Sequence, residues 1–335
     1  MQKEFEGKNK QIGVLITNLG TPDSPTKKGL KKYLNQFLMD RRVVDLSRLL
    51  WVPLLKLIIL NVRPKKSAKL YKSIWTEKGS PLLVMSNNIL ETLKRTFAKY
   101  KLDITFDLGM RYGNPSIDKA LKRFKDKGIS KILILPLYPQ AGSPTTSSTL
   151  DAVNSFLSNQ SWTPNLRFVS GYHDHKDYIS SLCNSINKSF SKNGMPDKLI
   201  FSYHGMPERY LHEGDPYYCF CHKTTRLVAE QLNLSSDTFE MAFQSRFGYE
   251  KWLQPYLDDK IPEMANNGIK HLQVISPGFS VDCLETLEEI NIQYRELFED
   301  LGGEKFSYIP CLNDSNDQMD MVKNLILENI KGWNA

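Results

Sequence analysis

Ile200-Phe201-Ser202-Tyr203-His204-Gly205-Met206-Pro207 is a short run of apolar and aromatic residues that stops abruptly at a histidine, a glycine and a proline. A run of this kind reads as a buried strand. Gly205 and Pro207 turn the chain away at its end and leave the His204 imidazole at the strand terminus. The same phrase stands earlier in the chain, as Leu15-Ile16-Thr17-Asn18-Leu19-Gly20-Thr21-Pro22. Three more pairs follow in the same order: Arg111-Tyr112-Gly113 with Arg246-Phe247-Gly248, Gly128-Ile129 with Gly268-Ile269, and Thr145-Thr146 with Glu285-Thr286. Four ordered matches predict two related halves.

Further strands are predicted over Ile12–Thr17, Ile104–Leu108, Lys131–Leu135, Arg167–Ser170, Lys198–Tyr203, Thr238–Ala242, Leu272–Ser276 and Phe306–Ile309. Helical periodicity lies between them, for example over Pro115–Lys127, Lys176–Lys188 and Thr224–Leu232. Alternating strands and helices specify an α/β protein with parallel sheets flanked by helices. A chain of 335 residues exceeds the roughly 250–300 residues at which single cores stop growing. Two domains are therefore expected, over 1–170 and 171–312. Ligands of such sheets sit beyond the carboxyl ends of the strands. His204 and the loops Pro136–Ser143 and Pro277–Asp282 belong there.

Gly20 precedes Arg111 by 91 residues, whereas Gly205 precedes Arg246 by 41. The first half thus holds an insertion of about 50 residues. It coincides with Ser24–Lys72, which carries 13 Lys and Arg against 2 Asp and Glu, a net +11 in a chain whose total is +7. The same stretch contains the apolar run Leu49–Leu60, too short to span a bilayer, which needs about 20 apolar residues. Basic charge beside apolar surface suits an anionic membrane or an amphiphilic anion; a solvated helix with a core-facing stripe is the plainer alternative. No nucleic-acid-binding module is visible. The start of the chain lacks an apolar export segment, and five cysteines are an odd count for a disulfide framework. Reduced thiols and a cytoplasmic location are expected.

Two residues stand out as chemical candidates. A neutral imidazole at His204 can bind a metal or take a proton, or it can serve only as a loop hydrogen-bonder. Glu285, in Asp282-Cys283-Leu284-Glu285-Thr286-Leu287-Glu288-Glu289-Ile290, opens a helix past a strand end, with Glu289 and Gln293 at i+4 and i+8. That stripe can pass protons. Equally, Asp282 and Glu285 have the spacing of a capping box. Cys219-Phe220-Cys221-His222 lacks a second pair at zinc-site spacing. His173-Asp174-His175 reads as a turn with Asp174 as helix cap, and Ser143–Thr149 as a helix start able to bind an anion.

Seven segments carry a more specific signal: Leu19–Pro22, Gly109–Gly113, Leu135–Gln140, Ser202–Pro207, Gly214–Tyr218, Phe243–Arg246 and Asp282–Ile290. With them the chain resembles the ferrochelatase family, which inserts ferrous iron into a porphyrin, over about residues 11–330. The resemblance implies two similar Rossmann-like lobes around a porphyrin cleft, with the last helix, within 313–335, packing back on the first lobe. It implies that His204 and Glu285 handle metal and protons, with Glu289 continuing the path. It places Tyr112 beside the macrocycle and the insertion, about 24–72, as a lip that covers the porphyrin and rests on a membrane. Arg63, Arg111 and Ser80 are candidate partners for the propionates. Iron is then a substrate, with no permanently bound cofactor; the cysteine-rich extension that holds a [2Fe-2S] cluster in some members is absent. Gln293 and Cys283 stand where animal members have an acid and a histidine. A coproporphyrin-using enzyme, another tetrapyrrole chelatase and a non-catalytic porphyrin carrier are the competing readings.

Overall fold

The computed structural model describes residues 11–100, 102–161 and 163–333. Among these residues the strands form two four-stranded parallel sheets. The first sheet has β1 (Ile12–Thr21), β2 (Ile104–Gly113), β3 (Lys131–Pro136) and β4 (Asn165–Phe168), in the order β2-β1-β3-β4. The second has β5 (Lys198–His204), β6 (Phe239–Gln244), β7 (His271–Ile275) and β8 (Lys305–Ile309), in the order β6-β5-β7-β8. The two orders are the same with numbers advanced by four, as the internal repeat requires. β1 is buried along almost its whole length, the signature of an interior parallel strand covered on both faces.

The helices are α1 (Lys27–Leu38), α2 (Arg48–Leu54), α3 (Leu60–Ile74), α4 (Pro81–Phe97), α5 (Ile117–Asp126), α6 (Ser148–Leu157), α7 (Lys176–Asn193), α8 (Glu208–His212), α9 (Tyr217–Gln231), α10 (Leu257–Asn266), α11 (Arg295–Asp300) and α12 (Asn316–Asn329). Among the described residues three π-helical segments, Leu55–Ile59, Ser143–Ser147 and Glu285–Tyr294, interrupt or precede α-helices. Each predicted strand is present, most extended by a few residues at one end; β4 starts two residues earlier than its predicted bounds. α5 starts at Ile117 because Ser116 caps it, accepting from the Lys119 N–H.

The repeat extends to the cores. From Pro115 onward, residues of the first half have counterparts 140 positions later. Ile117, Leu121, Phe124, Ile132 and Ile134 pack in one core, and Leu257, Ile261, Met264, Leu272 and Val274 pack in the other. The helix ends also correspond. Gly128 (φ +69°) and Gly268 (φ +82°) adopt the left-handed conformation. In each case the next residue's N–H reaches back to the helix, Ile129 to Phe124 and Ile269 to Met264, a Schellman ending that glycine makes without a Cβ clash. Near the end of β2, the Met110 N–H donates to the Pro115 carbonyl at 2.6 Å; near the end of β6, the Phe243 N–H donates to the Pro255 carbonyl at 2.8 Å.

The chain divides into two compact units. One comprises the described chain up to Leu137, Ser143–Gly171 and the chain from Met319; the other comprises Tyr138–Gly142 and Tyr172–Gln318. The insertion lies in the first unit as α1, α2, the π-segment and α3. Its apolar run splits in two. Trp51, Leu55 and Leu60 are buried, whereas Leu46, Leu49, Leu50, Leu54, Leu57, Ile58 and Val62 are exposed, Leu49 by 87 % and Leu57 by 72 %. The Trp51 indole N–H ties the buried side down through the Leu38 carbonyl. A run of apolar residues wound on a helix cannot turn every side chain inward, so a ridge remains in solvent, flanked by Lys56, Lys65, Lys66 and Lys69. Among the described residues no helix is long and apolar enough to cross a membrane.

Candidate active site

The second unit gathers the reactive candidates at the carboxyl edge of its sheet. His204 is the last residue of β5 and pairs in register with Gln244, the last residue of β6. Its Nδ1 lies 2.7 Å from the Gly205 carbonyl oxygen. A carbonyl can only accept, so Nδ1 carries a proton and, in the neutral ring, Nε2 is the nitrogen with the lone pair. The backbone at this point is fixed from two sides. The Gly205 N–H donates to the Gln244 carbonyl at 2.7 Å, and the Tyr217 hydroxyl donates to the His204 carbonyl at 3.0 Å.

Glu285 and Glu289 lie on the π-helical segment that follows β7. With i→i+5 bonding, residues four and five apart share a face, and such segments recur at functional sites. Gln244 ties this segment to β6: its amide N–H₂ donates to the Glu285 backbone carbonyl at 2.9 Å and to the Glu289 carboxylate at 3.1 Å, while its oxygen accepts from Ser202 at 2.7 Å. Ser245, in the left-handed conformation at φ +64°, gives Glu289 two more bonds, from its backbone N–H at 2.8 Å and its hydroxyl at 2.5 Å. Burial nevertheless raises the Glu289 carboxyl above the usual carboxylate range, with the donors from Ser245 and Gln244 and the nearby His204 pulling the other way. Glu288 is also raised by burial, and its carboxylate accepts from Gln293 at 2.6 Å. Gln293 thus turns to Glu288 and does not extend the Glu285–Glu289 stripe, because the wider π-turn carries it round the axis.

The capping-box alternative for Glu285 does not form. Asp282 gives its carboxylate to the Thr286 hydroxyl (3.0 Å), the Tyr308 hydroxyl (2.5 Å) and the Asn313 amide (2.7 Å), and its own N–H goes to the Asn313 side-chain oxygen at 2.8 Å. Thr286, not Glu285, takes the reciprocal position by accepting from the Cys283 N–H at 3.0 Å. Glu285 is left with its carboxyl beside Cys283, whose thiol burial and that neighbouring charge push well up. Among the described residues no group of three or more His, Cys, Asp or Glu converges on one point.

The other motifs resolve into structure. Cys219 and Cys221 lie on α9, the first exposed and the second buried, so they face apart. His175, rather than Asp174, caps α7, accepting from the Asp177 N–H at 3.3 Å; Asp174 instead pairs with Lys223.

The candidates in the first unit are placed differently. Arg111 and Tyr112, at the end of β2, are bound to a residue of the insertion: Asp40 accepts from Arg111 at 2.5 Å, Tyr112 at 2.8 Å and Ser148 at 2.6 Å. Tyr112 is buried, packed edge-on against Phe37 and Tyr33. Ser80 is also buried and accepts from Thr21 at 2.8 Å. Arg63 is exposed on α3. The sequence alone gives Asp40 no role, and it brings in Gln244 and Ser245 only as part of the segment Phe243–Arg246. The signal for Asp40 was available: it is one of two acids in a stretch with 13 cations.

Solved structures first show the fold. Two of SirB share this fold: one from Bacillus subtilis with Fe3+, at TM-score 0.55 and 11% identity over 97% of this chain and 96% of that one, and a sirohydrochlorin chelatase from Bacillus subtilis subspecies spizizenii with cobalt, at TM-score 0.52 and 9% identity over 97% and 95%. The architecture is the one these chelatase structures share. A sequence profile of ferrochelatase matches residues 11–330. A ferrochelatase of Hydrogenovibrio crunogenus is 51% identical over 98% of this chain and 88% of its own length, and ferrochelatase 2 of Shewanella oneidensis is 51% identical over 94% and 97%. The chain belongs to the ferrochelatase family.

Proposed function

We propose that this protein catalyses the insertion of Fe2+ into protoporphyrin IX, with release of two pyrrole protons, to give protoheme. The observation that carries this reading within the family is the order of side chains at the edge of the second sheet. A histidine with its Nδ1 occupied stands near Glu289, whose carboxylate is held by Gln244 and Ser245 on the same segment as Glu285.

The reaction needs a base for two N–H protons and brief ligands for a metal losing its water. His204 Nε2 is suited to either task, and a mixed N/O pair of His204 and Glu285 suits transient Fe2+. Few ligands are an advantage, since a closed metal site would trap the ion. Glu289, with its carboxyl raised, accepts and returns protons more nearly at neutral pH than an ordinary glutamate. A flat porphyrin hides its nitrogen lone pairs, and contacts remote from the metal can supply the bending that exposes them. We assign that role to the insertion, with Arg63 toward a propionate; Arg111, Tyr112 and Ser80 support its wall.

The exposed ridge and its lysines support reversible association with an anionic membrane from the cytoplasmic side. Iron is a substrate in this reading, and neither a [2Fe-2S] cluster nor another resident cofactor is expected; metal analysis of the purified protein tests this. The function is tested with purified protein, Fe2+ and either protoporphyrin IX or coproporphyrin III, followed by absorbance. Faster turnover of coproporphyrin III would reassign the substrate, and no turnover of either would refute the reading.

A further inference from the structure

The repeat gives the first unit a counterpart of the carboxylate ladder, but without carboxylates. At an offset of 140, Glu288 and Glu289 correspond to Ser148 and Thr149. Thr149 is fully buried, and its hydroxyl has no hydrogen-bond partner among the described residues. At this place a carboxylate nevertheless stands, and it comes from outside the repeat. Asp40 follows α1 in the insertion, with its side chain 7 % exposed. Its Oδ2 takes all three of Arg111, Tyr112 and Ser148, and its Oδ1 takes the Arg42 N–H at 2.7 Å. Arg111 also donates to Ser148 at 2.6 Å. Burial alone would raise the Asp40 carboxyl, but the donors from Ser148, Arg42, Tyr112 and Arg111 outweigh it and hold it below its ordinary value.

The same knot fixes the start of the ridge. The Asp40 carbonyl accepts from the Val44 N–H at 2.9 Å, and the Val44 carbonyl accepts from Arg48 at 2.9 Å. Arg42 grips Asp151 of α6 with two bonds, at 2.8 and 3.3 Å. Removing Asp40 would leave the Arg111 cation partly buried and unpaired, and would release the chain that leads into Leu46, Leu49 and Leu50.

We propose that Asp40 is a positioning residue: its carboxylate occupies a built anion site of Arg111, Tyr112 and Ser148, and so holds the apolar insertion in its working position. This rests on the reading of the insertion as the cover of the porphyrin. The pin acts on substrate capture rather than on the metal.

The test is Asp40→Ala, assayed for iron insertion into protoporphyrin IX with and without millimolar formate, a carboxylate small enough for the emptied site. The expected result is a KM for porphyrin raised about tenfold or more by the unpaired buried charge, a smaller change in kcat, and recovery of KM with formate, which leaves the wild type unaffected. An unchanged KM, a loss confined to kcat, or a KM that formate does not lower overturns the proposal. If Asp40→Ala does not fold, Asp40→Asn decides: it keeps the shape without the charge, so a wild-type KM in that variant overturns the proposal and a raised one supports it. Trypsin cleavage at Arg41, Arg42 and Arg48 reads the pin without turnover. It should be faster in Asp40→Ala and slowed by formate even if the wild type proved inactive on both porphyrins, which would instead sink the functional reading; cleavage at the wild-type rate counts against the pin.

Discussion

Gly205→Ala probes the most constrained point of the site. A methyl group on Gly205 would lie 2.8 Å from the Gln244 carbonyl oxygen and 3.0 Å from Cε3 of Trp252. Neither neighbour is the loose end of a side chain: one is backbone at the end of β6, the other a buried indole. The strand end cannot slide away freely, because the Gly205 N–H is bonded to that same oxygen at 2.7 Å. Overpacking of this kind costs about 1–3 kcal/mol. For a unit of this size, 1 kcal/mol lowers Tm by roughly 2–4 °C, so a fall of roughly 2–12 °C is expected. The displacement also moves the Gly205 carbonyl, the acceptor that orients His204 at 2.7 Å. A misplacement of about 1 Å can cost about 100-fold in rate, so turnover should fall by roughly 10- to 100-fold at a temperature well below the variant's Tm. Thermal melting and the absorbance assay, run on the same preparation, give both numbers. Wild-type values of both would refute the packing argument. A lowered Tm with wild-type turnover would show that the Gly205 carbonyl does not set the working orientation of His204.

His204→Ala should abolish iron insertion while porphyrin binding, read by quenching of porphyrin fluorescence, survives; near-wild-type turnover would remove His204 from the mechanism. Glu289→Gln should lower turnover by about 10²–10⁴-fold and change stability with a defined sign. The folded carboxyl is raised, so between the unfolded and folded values the native state keeps a proton that the unfolded chain has lost. Stability from this group is therefore present at low pH, falls as pH rises through that window and stays lower above it. Chemical denaturation from acid to neutral pH should show that decline in the wild type and not in the variant. Replacing Leu54, Leu57 and Ile58 together with Ser should weaken salt-sensitive binding to anionic vesicles or porphyrin affinity, measured by co-sedimentation and by KM; a folded variant unchanged in both would make the ridge functionally silent.

The strands were legible because buried parallel strands are continuous apolar runs, and the repeat was legible because glycines at helix ends and strand exits recur for backbone reasons. Gly128 and Gly268 show this directly, each ending a helix in the left-handed conformation. The position of His204 at a strand end followed from Gly205 and Pro207. Two kinds of feature stayed hidden. The π-helix over Glu285–Tyr294 has no periodicity signal distinct from an α-helix in so short a segment, so Gln293 was aligned with Glu289 when it meets Glu288. Long-range polar partners leave no local trace either. Asp40 meets residues 71 and 108 positions away, and Ser245 meets Glu289 across 44. The Asp282–Glu285 spacing matched a cap, but Asn313 and Tyr308, brought in by β8, compete for Asp282 and win.

Why the chemistry should sit in one half of a repeated fold follows from the same comparison. Both halves offer a strand end, a neighbouring strand end and a π-turn at the carboxyl edge of a sheet. In the second half these carry His204, Gln244 and Ser245, and Glu285 with Glu289. In the first they carry Leu19, then Arg111 and Tyr112, which strand pairing sets level with Gln244 and Ser245 and not with Arg246 and Phe247 as the sequence match has them, and Thr145 on the π-turn with Thr149 just past it. The first set can donate and accept protons in several steps, and its buried carboxyl is raised toward neutrality. The second has no titrating acid of its own, and the one it receives, Asp40, is held charged by four donors. A carboxylate fixed in one protonation state cannot relay protons, but it can anchor a chain segment. The same frame thus suits proton transfer where a buried acid meets three neutral donors, and mechanical attachment where the acid meets an arginine cation as well. The difference lies in the charge of the donors that meet each carboxylate and in how deeply it is buried.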